Sequence, residues 1–372
     1  MAGFLDEAIF FLPAGAFDLF RADLGITYTV ASLVLIAPGI GGLPGLLLTA
    51  AADRWSRRLI AAGGAAAFAV GLALFAWAPN APTLVAAAAL MGFGSTGMVD
   101  GVEVAMVDAT TPDRLRVWLA RQNVAAVAGD LAGPTVLAAL AFAGLGWRVA
   151  FAAGAVALGA YAVLLATAPL PPPQDGAAAD ATDDIGFSAV LRDGRVWVVG
   201  VLSLGIVPFD EPFLGFLIAH LGQTRGASTA TATVIALVAV CGGLVVHGIA
   251  ARRPLPLRNR TLFITGALGM AAGSVVVAVA GSLVTVSVAA FVVSGGLNLC
   301  WLALQHRSLT LRPGQAGRTK AVVSTIESIG FALPLAIGAV ADTATLTLAM
   351  ATFAVLGAVL FAVAAGTRGA LD

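Results

Sequence analysis

Charge is what this chain has least of. Only 11% of its 372 residues are Asp, Glu, Lys or Arg, where a soluble domain carries roughly 25%. Hydrophobic residues make up 59%, and the mean hydropathy is +0.97, which places the chain in a bilayer. The net charge is zero, so nothing points to nucleic acid. Lysine is nearly absent: Lys320 stands alone against nineteen arginines. The two cysteines, Cys241 and Cys300, fall in apolar runs. They form no disulfide framework and no metal spacing, and they read as small buried hydrophobes. No Gly-rich phosphate loop appears, which excludes an ATP-driven pump within this chain. No convergent His, Ser or Cys set appears either, so the chain does not read as an enzyme, and no cofactor or metal is expected. The first residues, "MAGFLDEAIFF", carry no basic segment and do not read as a cleaved signal peptide.

What is present is a series of apolar runs, each near the roughly 20 residues that cross a hydrocarbon core. Twelve are expected, near 3–21, 28–51, 59–78, 83–106, 117–143, 147–168, 196–219, 228–250, 261–281, 284–305, 320–341 and 345–366. With both termini cytoplasmic, the inner loops hold 17 of the 20 basic residues, Lys320 among them, leaving Arg21, Arg148 and Arg225 outside. The positive-inside rule requires this bias. Heavy use of Ala, Gly and Arg suggests a GC-rich genome, and hence a bacterial inner membrane.

A polar stretch rich in Pro, Ala and Asp, residues 169–195, divides the runs six and six. It reads as a flexible cytoplasmic linker between an N-terminal bundle, 1–168, and a C-terminal bundle, 196–372. The halves echo each other. The acid pair Asp6–Glu7 returns as Asp210–Glu211, the basic loop at 54–58 as 251–260, and Pro134 as Pro334. Two parallel six-helix repeats place a substrate site near the midplane, between the halves.

At this point the chain resembles the major facilitator superfamily. Its signature between the second and third helices is Gly-x-x-x-Asp-Arg/Lys-x-Gly-Arg/Lys-Arg/Lys. Here the stretch is "TAAADRWSRR". Asp53, Arg54, Arg57 and Arg58 match, while Thr49 and Ser56 replace glycines. The resemblance implies an all-α membrane fold of twelve helices in two pseudo-symmetric bundles, and a cytoplasmic latch between the halves. In that latch Asp53 would face the start of the eleventh helix, whose dipole favours an anion. The arginines would pair with an acid at the inner end of the fourth, where Asp108 stands. "GDLAGP" in the fifth run is similar to the Gly-x-x-x-Gly-Pro motif of the superfamily's antiporters. Gly129, Gly133 and Pro134 match; Leu137 and Ala138 stand where that family has a glycine pair. Close helix packing is the other reading of these small residues.

Besides Asp18, near the outer end of the first run, eight acids fall inside the runs: Asp6, Glu7, Asp100, Glu103, Asp130, Asp210, Glu211 and Glu327. No Lys or Arg is placed deep in any run. Charged residues in a bilayer are costly, so they face a cavity and serve function. A carboxylate that binds and releases a proton couples transport to the proton gradient, and one left ionised attracts a cation. Glu7, Asp210, Asp100 and Glu103 are the first candidates, with Asp6 and Glu211 next and Asp130 and Glu327 behind. For each, a hydrogen bond to a neighbouring Ser, Thr or Asn is the structural alternative. Pro208 and Pro212 bracket the second acid pair, which predicts a local hinge. His247 and His306 read as exposed histidines at inner ends, and Trp55, Trp147 and Trp197 as interface anchors.

The function expected is a monomeric secondary transporter, moving a small organic solute by alternating access. Proton-coupled efflux of a cationic or amphipathic compound is favoured over proton-coupled uptake of a nutrient. A non-transporting membrane sensor or scaffold is the alternative of another class. The partners are the solute, protons and the lipid bilayer.

Overall fold

The structure is a computed structural model. It describes residues 1–26, 28–52, 55–143, 145–168, 187–253, 255–367 and 369–372. All regular elements among the described residues are helical. In chain order they are α1 (Ala2–Gly15), α2 (Phe17–Asp23), α3 (Tyr28–Ala51), α4 (Arg57–Ala76), α5 (Ala81–Ala109), α6 (Pro112–Phe142), α7 (Trp147–Thr167) and α8 (Phe187–Arg192). Then follow α9 (Gly194–Ile206), α10 (Glu211–Arg225), α11 (Thr229–Ala250), α12 (Asn259–Val279), α13 (Leu283–Thr310), α14 (Ala316–Ser328), α15 (Leu333–Thr343) and α16 (Leu346–Gly366). Short 3-10 segments, Val207–Phe209 and Ile329–Ala332, join α9 to α10 and α14 to α15.

Twelve spans account for these helices apart from the short α8. The first is α1 with α2, the seventh is α9 with α10, and the eleventh is α14 with α15; each remaining span is one helix. Among the described residues, nine helical stretches are long and apolar enough to cross a membrane, and Val234–Ala250 is a shorter apolar helix. The break in the seventh span has a local cause. Pro208 and Pro212 lack the amide hydrogen that a continuous helix needs. Between them Asp210 leaves helical geometry, at φ −82° and ψ −132°. Residues 187–192, which the sequence places in the linker, form α8. Residues 169–186 of that linker lie outside the described residues.

Two units form. One contains Met1–Leu115, Gln122–Gly186 and Arg312–Ala321; the other contains Arg116–Arg121, Phe187–Leu311 and Val322–Asp372. In the first, α5 packs on α3 and α4, and α4 packs on α7. In the second, α13 packs on α11 and α12, and α12 packs on α16. The same pairings recur six spans later, as a repeat requires.

Lipid tails are as apolar as leucine, so helices in a bilayer associate by close packing. Small residues make this possible. A Cβ on Gly92 would overlap the backbone of Pro38, and one on Gly41 the backbone of Ala89, which seats α5 on α3. Gly64 and Gly94 bring α4 and α5 together, and Gly266 and Gly296 do so for α12 and α13. Phe20, Phe75, Trp147 and Phe151 form a ring cluster in the first unit, with Phe75 and Phe151 stacked at 4.2 Å. Trp147 therefore lies in the core, not at the interface where the sequence reading puts it. Its indole turns inward because three phenylalanine rings pack around it. Large apolar side chains such as Leu47, Val156, Val279 and Val284 stand on the outside, where hydrocarbon is their solvent.

Polar ties follow the repeat as well. Thr49 on α3 bonds Asp100 on α5 at 2.9 Å, and His247 on α11 meets Asn298 on α13 at 2.7 Å, both across 51 residues. One step toward the helix ends, Arg57 pairs with Asp108 at 2.7 Å, and Asn259 with His306 at 3.1 Å. Asp100 and Asn298 are 198 residues apart, as are Asp108 and His306. The first unit ties these helices with charge and the second with neutral groups. His247 and His306 are thus buried, not exposed as the sequence suggests, because each has a helix-to-helix partner. Cys241 is exposed on α11, contrary to its buried reading, while Cys300 is buried.

Candidate functional site

The acids of α1 and α5 meet in the first unit. Asp6 on α1 accepts a hydrogen bond from Ser95 on α5, 2.6 Å from its Oδ1. Asp100 and Glu103 lie further along α5, one turn from each other on a shared face, and both are buried. Thr49 Oγ1 donates to Asp100 Oδ2 at 2.9 Å. Gln122 Nε2 on α6 donates to Glu103 Oε1 at 3.2 Å. Lys320 on α14 fills the space between the acids, its Nζ 3.1 Å from Glu103 Oε2 and 3.8 Å from Asp100 Oδ1. One oxygen of each carboxylate thus accepts a neutral hydrogen bond, and the other faces the Lys320 ammonium. Asp6 also feels the charges of Asp100, Glu103 and Asp130. Three carboxylates here face one ammonium.

Lys320 corrects the expectation that no basic side chain lies deep in a span. The sequence reading counted it in a loop. The helix instead begins at Ala316, which puts Lys320 in its second turn, and the side chain is only 11% exposed. A lysine stem can carry its ammonium several ångströms inward along apolar surface. The signal that marks it is its singularity: one lysine in the chain, at the head of an apolar run.

The fold and the sequence now converge with known proteins. The Major Facilitator Superfamily profile matches residues 1–335. The chain belongs to the major facilitator superfamily. Solved structures share its fold across nearly their whole length. The proton:xylose symporter XylE aligns with a TM-score of 0.78 at 15% identity, covering 97% of this chain and 92% of XylE. The human organic anion transporter MFSD10 gives 0.75 at 19%, covering 98% and 97%. The E. coli fucose:proton symporter FucP gives 0.74 at 17%, covering 97% of each chain. At these identities the likeness establishes fold alone. No curated protein sequence matches significantly. As a member of this superfamily the protein is an integral membrane transporter, not an enzyme.

The remaining candidate residues of this superfamily member are dispersed. Glu7 points away from its neighbour Asp6: its Cβ lies beside Gly129 on α6, where a Cβ on the glycine would come within 3.1 Å. Adjacent residues on a helix diverge by about 100°, so one acid of the pair reaches α5 and the other α6. Asp130 is exposed on α6, next to the buried Gly129. Gly133 is buried too, and the side chain of Pro134 lies outside the described residues. Asp210 stands exposed at the break between α9 and α10, and Glu327 is half-buried on α14; both belong to the second unit. The side chain of Glu211 lies outside the described residues. Of the loop motif, Arg57 pairs with Asp108, both nearly enclosed. Arg58 is exposed, and Asp53 and Arg54 lie outside the described residues.

Other arginines fasten helix ends. Arg148 donates to the carbonyls of Ala76 and Ala78 at the end of α4 and pairs with Asp23. In the second unit Arg116 donates to the carbonyls of Leu255 and Leu257 and to Asn259. These satisfy carbonyls that a helix end or a loop leaves open. Charge count on loops predicts topology but not these contacts, which depend on where each helix stops.

Proposed function

We propose that this protein is a proton-coupled secondary transporter working by alternating access, and that it exports a small cationic or amphipathic organic compound. The observation that carries the reading is the cluster of Asp6, Asp100 and Glu103 with Lys320. Three carboxylates and one ammonium leave two negative charges in a protein interior, where uncompensated charge is costly. Protons and cationic groups are the partners that such a site attracts. Asp53, Arg54, Arg57, Arg58 and Asp108 form the cytoplasmic gate in this proposal, and Gly129, Gly133 and Pro134 form the packing face of an antiporter-type fifth span. Asp210, Glu211, Glu7, Asp130 and Glu327 are further groups on the proton path. The protein acts as a monomer in a bacterial inner membrane, with both termini cytoplasmic and the sequence halves 1–168 and 196–372 as its two bundles.

Uptake of a polar nutrient is the second reading. Lys320 favours it, because a buried ammonium also serves a hydroxyl or an anionic group, and XylE and FucP are symporters by description.

The test is reconstitution in liposomes under an imposed pH gradient, with lumenal pH followed while organic cations, sugars and amino acids are added. Substrate-triggered proton movement lost in Asp100→Asn and Glu103→Gln supports coupling at this site. Asp210→Asn and Glu7→Gln report on the other acids. Right-side-out vesicles give the vector: accumulation of substrate inside them would sink the export reading. Well-folded acid variants that still move protons with substrate would sink the site.

A further inference from the structure

We propose that α8 lies in the membrane–water interface at the head of the seventh span and seats on phospholipid, with Phe187 and Leu191 against the acyl chains and Arg192 against the phosphate. This holds for the chain as an integral membrane protein, whatever the direction and coupling of its transport.

Six residues are too few for a helix that stands alone in water, so the contacts of α8 show what holds it. Val190 is fully buried and joins the core of the second unit. The Asp193 amide donates to the Val190 carbonyl, and the Asp193 side chain caps α9, accepting from the Arg195 amide at 3.0 Å. The Trp197 indole, in the first turn of α9, donates to the Leu191 carbonyl at 2.7 Å. That carbonyl is one of those a helix end leaves open. These bonds fix α8 to α9.

Around this fixed axis the side chains fall into three sectors. At about 100° per residue, Leu191 stands about 40° from Phe187, Ser188 about 100° and Arg192 about 140°, while Val190 lies about 60° to the other side. Val190 marks the protein side. Phe187 and Leu191 are 43% and 40% exposed, yet apolar. Ser188 and Arg192 are exposed and polar. Protein, apolar and polar sectors in that order suit a helix lying along a bilayer surface, with lipid between the protein and the water.

The apolar sector continues onto α9. Trp197 is 46% exposed and Val201, one turn on, 48%, at the start of a stretch long and apolar enough to cross a membrane. An exposed tryptophan at the head of a span belongs at headgroup level, and α8, bonded to its indole, shares that level. Arg195 is engaged by both oxygens of Asp193, at 2.9 and 3.1 Å. Arg192 forms no ion pair among the described residues. Its guanidinium therefore meets phosphate, which such a group binds through two N–H bonds. The end of the linker that the sequence reads as flexible is held on the membrane.

Nitroxide labels on the full chain, in nanodiscs of phosphatidylethanolamine and phosphatidylglycerol, test this. Phe187→Cys, Leu191→Cys and Ser188→Cys are each made in a Cys241→Ser background, since Cys241 is exposed and Cys300 buried. All three sites are exposed, so the fold tolerates the label. Power saturation reads collision with oxygen, which concentrates in lipid, and with a water-soluble nickel chelate. The oxygen-to-nickel ratio should be several-fold higher at 187 and 191 than at 188. Equal ratios at the three sites place α8 in water and overturn the inference. Labels at 187 and 191 shielded from both probes mean that protein covers them, which overturns it too. Arg192→Glu added to the Leu191→Cys protein sets a carboxylate against the phosphate and should lower the ratio at 191 toward that at 188; an unchanged ratio overturns the phosphate contact.

Discussion

Breaking the ion pair between Arg57 and Asp108 should cost far more than removing it whole. Their side chains are each 6% exposed, and Arg57 Nη1 lies 2.7 Å from Asp108 Oδ2. A pair this enclosed has given up most of its hydration. Replacing Asp108 alone with Leu leaves a guanidinium buried without its counter-charge, and about 3–5 kcal/mol is the cost of such an orphan. Replacing Arg57 alone with Met strands the carboxylate at similar cost. Replacing both removes the two charges together and fills the volume with apolar atoms, and such exchanges run from neutral to stabilising. The two single variants should therefore lose about 3 kcal/mol each while the double variant stays within about 1 kcal/mol of wild type, a coupling of about 5 kcal/mol. Reversible unfolding in mixed detergent–SDS micelles gives each midpoint and slope, and hence each free energy. Additive losses, with the double variant near 6 kcal/mol below wild type by the same arithmetic, about 3 from each site, would refute this reasoning.

The other expectations are quicker to state. Gly92→Val drives a side chain into the Pro38 backbone and should cost more than about 2 kcal/mol; Gly63→Ala, where nothing lies within 4 Å, should cost nothing measurable, and equal effects would remove the close-packing argument for α3 and α5. Trp147→Ala empties the ring cluster and should lose about 3 kcal/mol, whereas the exposed Trp118→Ala should change stability by less than about 0.5 kcal/mol. Asn298→Leu leaves His247 with a buried ring nitrogen unbonded and should cost about 1–3 kcal/mol; the His247→Leu/Asn298→Leu pair should recover most of it, and no recovery would mean the tie is not what holds α11 to α13.

How legible this was in the sequence depended on the physics behind each feature. Hydropathy reports length and composition, and a bilayer demands both, so the spans could be read directly from the apolar runs. Pro208 and Pro212 announced the break at Asp210 because a missing amide hydrogen acts locally. The inward turn of Trp147 was not legible. Its fate rests on Phe20 and Phe75, which reach it from two other helices, and on Phe151 one turn along its own. The buried histidines were missed for the same reason: nothing near His247 in sequence names Asn298. Composition showed an excess of acids in the spans, and spacing put Asp100 and Glu103 on one face. That Asp6 rather than Glu7 reaches α5 depends on the rotation of α1. Lys320 was the largest omission. It sits where a loop becomes a helix, and a shift of four residues in that boundary, together with the reach of a flexible stem, decides whether its charge lies in water or between two carboxylates.

Proton coupling at the α5 acids is tested most directly by comparing two reactions of one variant. Glu103→Gln in proteoliposomes should still exchange labelled substrate for unlabelled substrate across the membrane, because alternating access remains. It should fail to move substrate against its gradient when a pH difference is imposed, because the proton has no carrier. Gradient-driven transport at the wild-type level, or exchange lost in step with it in protein that is properly folded, would contradict the assignment of the proton to this cluster.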